Sequence, residues 1–310
     1  MQLKALRYFL MVASTGSFLS TARHFGVPAS SVSRFIAALE KDLGQQLFYR
    51  STRAVRLTDA GLQFQAGVRE SLEVLDGAVD QVVGKSGSIQ GLVRINSAEA
   101  MGRLHIARLV NKLQSQYPQL KVELTLTDSF IDPVQEGADI TVRIGPLVDS
   151  GLIGRVVSKQ HWLLAASPAY LKEHSAPNVP DDLKKHKCLL YSGKQGIPRW
   201  YFRSSLEQPL VHCDVDGPLQ SNNSEVLLDS AIAGHGVVLF PTWLFDSHSF
   251  ERGDLVSLLP EWDKSTSLEP SYIQMLSPEN RLRSKKVSQV VQFLVDEIGL
   301  PPYWDKNGSW

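Results

Sequence analysis

The stretch from Ser17 to Thr58 constrains this chain more than any other, because it reads as two helices around a tight turn, then a short basic hairpin. Ser17 is a helix-capping residue type, and Leu19, Ala22 and Phe25 recur behind it at helical spacing. Gly26 ends that helix, since glycine takes the left-handed conformation a helix terminus needs. Pro28 opens the second helix, where its fixed φ and missing N–H suit the first turn. There Val32, Phe35, Ile36 and Leu39 form one apolar face, while Pro28, Ala29, Ser30, Ser31, Ser33 and Arg34 lie near the helix start or off that face. Small side chains and hydroxyls permit close approach to a DNA groove, and arginine binds guanine or phosphate through two bonds. An ordinary helical hairpin with a solvated face shares the same outline.

The flanking residues favour the DNA reading. From Leu47 to Thr58 apolar and polar residues partly alternate around a polar tip, and Arg50, Arg53 and Arg56 recur every third residue. A basic hairpin beside a reading helix is a winged helix-turn-helix, its wing set against phosphates or the minor groove. Charge agrees. The chain holds 32 basic and 32 acidic residues, yet residues 1–58 carry eight Lys/Arg against Glu40 and Asp42 alone. A basic head on an acidic body calls for a polyanion at one end only.

Before this stretch, Leu3, Leu6, Phe9, Leu10 and Ala13 predict a supporting helix with one buried stripe. After it, Thr58 caps a helix to about Lys85, and Val68, Leu72, Leu75, Val79 and Val82 alternate spacings of four and three, the pattern of a coiled-coil seam. At 1.5 Å per residue such a helix spans about 40 Å, and two of them can hold two DNA heads about 34 Å apart. Lys85 to Ser88 makes a flexible joint. From Gly91 the pattern changes to strands near 92–96, 122–126, 140–144, 161–166, 237–240 and 272–276, with a last helix at 281–298. Strands alternating with helices predict an α/β body with largely parallel sheets. Pro301 to Trp310 reads as an irregular tail.

LKALRYFLMVASTGSFLSTARHFGV, SSVSRFIAALEKDLGQQLF and R-x-x-R-x-V-R-L-T-x-A-G, matched in one order over about sixty residues, resemble the DNA-binding end of LysR-type transcriptional regulators. The rest of the chain resembles the family's effector domain. Many members place Ser-Gln-Pro where this chain has Pro28-Ala29-Ser30, a change the fold survives. The resemblance implies an N-terminal winged helix-turn-helix (mainly α), a long linker helix, and an α/β effector domain of two lobes like a periplasmic binding protein. The domains divide as 1–58, 59–90, 91–300 and a tail at 301–310, with lobe I at 91–161 and 268–300 and lobe II at 162–267. It also implies double-stranded DNA and a small-molecule effector as partners, a homodimer through the linker helix, and a homotetramer of two such dimers.

Ligands of open α/β sheets bind beyond the strand ends, at helix starts. Ser97, Ala98 and Glu99 stand at one such point and Ser221, Asn222, Asn223 and Ser224 at another. Ser97 and Asn223 also suit plain caps. Arg143 and Gly145-Pro146 lie near a strand end, and Trp200 offers an aromatic wall. Facing helix starts suit a small polar or anionic effector, whereas Glu99 argues against a plain anion and favours an amine.

No apolar run approaches the ~18 residues of a membrane span, and no signal peptide is visible, so a cytoplasmic protein is expected. No cofactor or metal is expected. His186, Cys188, His212 and Cys213 fit no standard zinc spacing. Cys188 and Cys213, the only cysteines, read as reduced and buried, although one branch of the family senses peroxide through two effector-domain cysteines. An enzyme is disfavoured because no G-x-S-x-G elbow, H-E-x-x-H or phosphate loop is present. A solute-binding protein fits the body but not the basic head. A non-specific nucleoid protein differs only in lacking site preference.

Overall fold

The first three helices each end where the sequence supplies a residue that can turn the chain left-handed. The computed structural model describes residues 2–50, 55–83, 89–128, 137–147, 152–193, 196, 199–282 and 284–306. The chain divides into two compact units, one built on residues 1–88 and one on the residues from 89 onward. In the first, helices Leu3–Thr15, Phe18–Phe25 and Ala29–Leu43 stop at Gly16, Gly26 and Gly44, with φ of 61°, 64° and 65°. The Ser17 hydroxyl accepts from the Ser20 N–H at 3.2 Å, as a cap should. Pro28 stands one position earlier than predicted, at the N-cap, with ψ of 142°. Its carbonyl accepts from the Ser31 N–H at 2.9 Å.

Phe9, Val12, Val32 and Ile36 are fully buried at the centre of this unit. The Tyr8 ring meets Phe25 and Phe35 edge-on, with centroids 4.9 and 5.5 Å away. Two stripe residues are corrected: Leu3 and Leu19 are 45% and 54% exposed. Ala5, Tyr8 and Val12 take the inner face of the first helix, and Thr21 and Ala22 that of the short second one. The wing pairs β1 (Phe48–Arg50) antiparallel with β2 (Val55–Leu57), Phe48 facing Leu57.

The long helix Asp59–Val83 starts at Thr58, whose hydroxyl donates to the Gln46 carbonyl at 2.7 Å and accepts from the Gly61 N–H at 3.0 Å. Gly61 is required there, because a Cβ would stand 2.2 Å from the Leu47 carbonyl oxygen. Val68 and Leu72, each 5% exposed, pack into the core of their own head. The predicted seam is thus corrected in its first half, since two of its residues are already buried within one chain. Leu75 remains 41% exposed, and the side chains of Val79 and Val82 lie outside the described residues.

The second unit holds β3 (Gly91–Ser97), β4 (Leu120–Leu126), β5 (Ile140–Gly145), β6 (Ile153–Lys159), β7 (Trp162–Ala166), β8 (Leu190–Tyr191), β9 (Trp200–Arg203), β10 (Val211–Cys213), β11 (Gln220–Ser221), β12 (Val238–Pro241), β13 (Val256–Leu258), β14 (Asp263–Ser265) and β15 (Tyr272–Ser277). A five-stranded sheet runs β4-β3-β5-β15-β6, two three-stranded sheets run β12-β7-β13 and β10-β9-β14, and a two-stranded one pairs β11 with β8. The expectation of largely parallel sheets is corrected. β3 is parallel to β4 and β5, but β15 runs antiparallel to β5 and β6, and the sheet β12-β7-β13 is antiparallel throughout. The chain leaves the first sheet after β6 and returns as β15, and the returning strand opposes its neighbours.

The helical stretch after β3 is continuous but uneven: Glu99–Met101, a wide π turn at Gly102–Ile106, then Ala107–Gln116. The last long helix, Lys285–Ile298, buries Val287, Val290, Val291, Leu294 and Ile298. The tail is irregular, as expected, running in turns from Pro301 to Lys306, yet it is docked. Tyr303 bonds His105, and Trp304 is 7% exposed in the main core, because two adjacent aromatic rings carry enough apolar surface to dock the segment. Residues 307–310 lie outside the described residues.

Candidate functional site

The helix Ala29–Leu43 buries Val32, Ile36 and Leu39 and so turns its other face outward. Pro28, Ser30 and Arg34 are exposed, and Ala29, Ser31 and Ser33 are half-buried beside them. The exposed surface at the helix start thus carries one guanidinium and a hydroxyl. Arg56 is exposed on β2. Arg53 and the Arg50 side chain lie outside the described residues.

The second candidate site is a cavity of about 330 Å³ in the second unit. Ala98, Glu99, Trp200, Asn222, Asn223 and Ser224 all line it, as do Arg103, Asp128, Gln160, Trp162, Tyr191 and Trp243. Glu99 opens the helix that follows β3, and Asn222 to Ser224 open the helix Ser224–Ile232. Trp200 starts β9 and is 2% exposed. Gln160 and Trp162 come from the crossing between β6 and β7.

Five residues named from the sequence, Ser97, Arg143, Gly145, Pro146 and Ser221, stand outside the lining. Ser97 is 3% exposed and ends β3, where its hydroxyl donates to the Ala98 carbonyl at 3.2 Å. It does not cap the following helix, because the strand keeps it extended against Leu126 and Val142. The Glu99 N–H is instead met at 3.0 Å by the Asp128 carboxylate, from 29 residues away. Arg143 faces Gln274 across the β5–β15 ladder and does not line the cavity. Gly145 does not line it either; its carbonyl accepts from Gln274 Nε2 at 3.3 Å. Asp139 accepts from the Arg94 N–H at 2.8 Å and pairs with Arg281 at 3.4 Å.

Asn223 does cap its helix, its Oδ1 accepting from the N–H groups of Glu225 at 2.9 Å and Val226 at 3.2 Å. The Arg103 guanidinium pairs with the Glu225 carboxylate. Tyr191 has its phenol pushed above the usual tyrosine range, first by burial and then by the nearby Asp128 and Glu99. Sequence reasoning missed Asp128, Gln160, Trp162, Tyr191 and Trp243. Of these, only Gln160 and Trp162 carried a signal, since they flank the expected lobe boundary at 161/162.

The cysteines lie in the second unit, away from this lining. Cys213 donates to the Pro180 carbonyl at 3.1 Å, and Cys188 is fully buried with its thiol pushed up to about 12 by burial. His186 Nδ1 lies 3.2 Å from the Tyr170 hydroxyl. Among the described residues no group of three or more metal-ligating side chains is gathered, and no helix is long and apolar enough to cross a membrane.

Residues 3–62 match the family described as bacterial regulatory helix-turn-helix protein, lysR family, and residues 86–299 match the LysR substrate binding domain. The chain is 32% identical over 295 residues to the HTH-type transcriptional regulator DmlR of Escherichia coli K12, covering 94% of this chain and 93% of that one. Its structure resembles full-length AphB, a virulence activator of Vibrio cholerae, with a TM-score of 0.58, 26% identity, and coverage of 96% and 99%. It also resembles CrgA, a LysR-type transcriptional regulator from Neisseria meningitidis, with a TM-score of 0.60, 26% identity, and coverage of 96% and 99%.

Proposed function

The chain belongs to the LysR family of transcriptional regulators, and from that premise we propose which of its residues do the work and what controls them. The helix Ala29–Leu43 enters the major groove, with Ser30, Ser31, Ser33 and Arg34 reading bases and Pro28 and Ala29 allowing close approach. Arg50, Arg53 and Arg56 anchor phosphates, which fix position without reading sequence. The observation that carries this reading is the division of that helix: Val32, Ile36 and Leu39 buried, Ser30 and Arg34 exposed.

The cavity of the second unit receives the small-molecule effector, with Ala98, Glu99, Trp200, Asn222, Asn223 and Ser224 in its wall. Lining residues from the five-stranded sheet, from the sheet β12-β7-β13 and from the crossing between them support this, because a ligand there touches both lobes and biases their relative disposition. The protein works in the cytoplasm as a homodimer through the linker helix, and pairs of dimers form a tetramer that sets the bend of the promoter.

The test is capture of sheared genomic DNA from the source organism by the purified protein near physiological salt. Enrichment of a few sites with two-fold symmetry is expected, with affinities that change when cell metabolites are added. Uniform recovery of all fragments would instead mean phosphate binding alone.

A further inference from the structure

The charge of the ligand the cavity accepts follows from what already occupies its hydrogen-bond donors. A helix start attracts anions through its free N–H groups. At Ser224–Ile232 two of the first-turn N–H groups, those of Glu225 and Val226, are taken by Asn223 Oδ1. At the helix after β3 the Glu99 N–H is taken by the Asp128 carboxylate. Arg103 lines the cavity but is paired with Glu225. Those three N–H groups and the one lining guanidinium are therefore already engaged.

What remains is acidic and accepting. The carboxylates of Glu99 and Asp128 both line the cavity, both are exposed, and neither has an ion-pair partner among the described residues. The Asp128 carboxylate bonds the Glu99 N–H at 3.0 Å, so the two charges stand at one end of the cavity. Gln160 supplies an independent observation. It lines the cavity and is 7% exposed, and its Oε1 accepts no hydrogen bond among the described residues. A buried acceptor left open calls for a donor on the ligand. Trp162, Trp200 and Trp243 supply the apolar wall, and indole faces attract cations. The volume of about 330 Å³ is near the lower end of ligand pockets, roughly 300–1,000 Å³.

Resting on the reading of this cavity as the effector site, we propose that the effector is a small organic cation, an amine carrying an apolar group. Its ammonium lies against Glu99 and Asp128, and its body lies against the tryptophans. The wild-type cavity discriminates against the corresponding carboxylate, which would meet two like charges without a free cation to offset them.

The experiment is thermal unfolding of the full-length protein at fixed ionic strength with three probes of similar shape: 2-phenylethylamine, phenyltrimethylammonium and 3-phenylpropanoate. The two cations are expected to raise Tm and the carboxylate is not. Glu99→Gln and Asp128→Asn should each weaken the cations about tenfold or more, as expected for loss of a charged partner. Asp128→Asn keeps an oxygen for the Glu99 N–H, so the helix start survives. A rise in Tm with 3-phenylpropanoate that Asn222→Trp abolishes would overturn the charge assignment and leave the cavity standing as the effector site. No rise with either cation would overturn the assignment too. The cavity reading would then be judged on the metabolite dependence of operator binding, which that outcome does not touch.

Discussion

Nδ1 of His105 lies 2.6 Å from the Tyr303 hydroxyl, while its Nε2 lies 2.8 Å from the carbonyl oxygen of Trp243. A carbonyl only accepts, so Nε2 carries the proton and Nδ1 accepts from Tyr303. One neutral ring thereby ties the π turn, the segment after β12 and the C-terminal tail. Burial, the first cause, holds the His105 pKa below its ordinary 6.5. The sign follows. The unfolded chain takes up this proton near pH 6.5 while the folded protein resists it. The stabilisation is fully present above that pH and is lost as pH falls through the lowered folded value. Tyr303→Phe leaves Nδ1 buried and unpaired, at a cost of about 1–3 kcal/mol. Urea unfolding of the wild type and this variant from pH 8 to pH 5 checks both the cost and the slope.

Arg34 and Arg56 are both exposed arginines of the first unit, but they sit on different elements and should fail differently. Arg34→Ala is expected to lose ~1–3 kcal/mol at the preferred site and little on bulk DNA, if Arg34 reads a base. Arg56→Ala should weaken all sequences alike and flatten the salt dependence by about one counterion. Titrations of operator and scrambled duplex at several salt concentrations separate the two. Equal losses from both variants on both duplexes would remove Arg34 from base reading.

The Cys188 thiol, pushed up to about 12, holds almost no thiolate at neutral pH, and thiolate is the reactive form. Cys213 is also buried, and its pKa is raised chiefly by burial. Both thiols are expected to resist a thiol reagent in the folded protein and to react promptly in denaturant. Fast native labelling of either would revive the redox alternative. Cys188→Ala should leave operator binding unchanged in peroxide and in reductant.

The parts that were legible in the sequence are those fixed by neighbours within a few residues. Ser17, Gly26 and Thr58 act as caps and stops through bonds no longer than one helical turn, so residue type and position suffice. The division of the reading helix into Val32, Ile36 and Leu39 against Ser30 and Arg34 is equally local. Leu19 shows the limit: its spacing is right, but in an eight-residue helix Thr21 and Ala22 reach the core instead. The cavity was half legible. Asn223 and Glu99 stand where a helix follows a strand, which sequence can mark. Asp128 and Tyr191 arrive from separate segments and carry no local signal. Ser97 was misread because a capping residue type sat in a strand whose ladder held it extended, while the cap came from Asp128. The order of strands was also hidden, since periodicity marks a strand without saying which neighbour it opposes.

The linker helix gives the sharpest division between folding and assembly. Val68 and Leu72 belong to the same predicted seam as Leu75, yet they are buried in their own head, whereas Val74 and Leu75 are 64% and 41% exposed. A residue buried within one chain contributes to stability at any concentration, and one buried only by a second copy contributes through association. Leu72→Ala is therefore expected to cost the head about 2–5 kcal/mol, the range for a buried leucine. Its effect on subunit exchange should be small. Leu75→Glu should leave the unfolding midpoint of the head nearly unchanged in dilute monomer, and should shift the protein from dimer to monomer at micromolar concentration. Light scattering after gel filtration reads the mass, and far-ultraviolet dichroism on heating reads the head. If Leu75→Glu remained fully dimeric, the linker helix would not be the dimer contact, and the exposed Val74–Leu75 surface would need a partner of another kind.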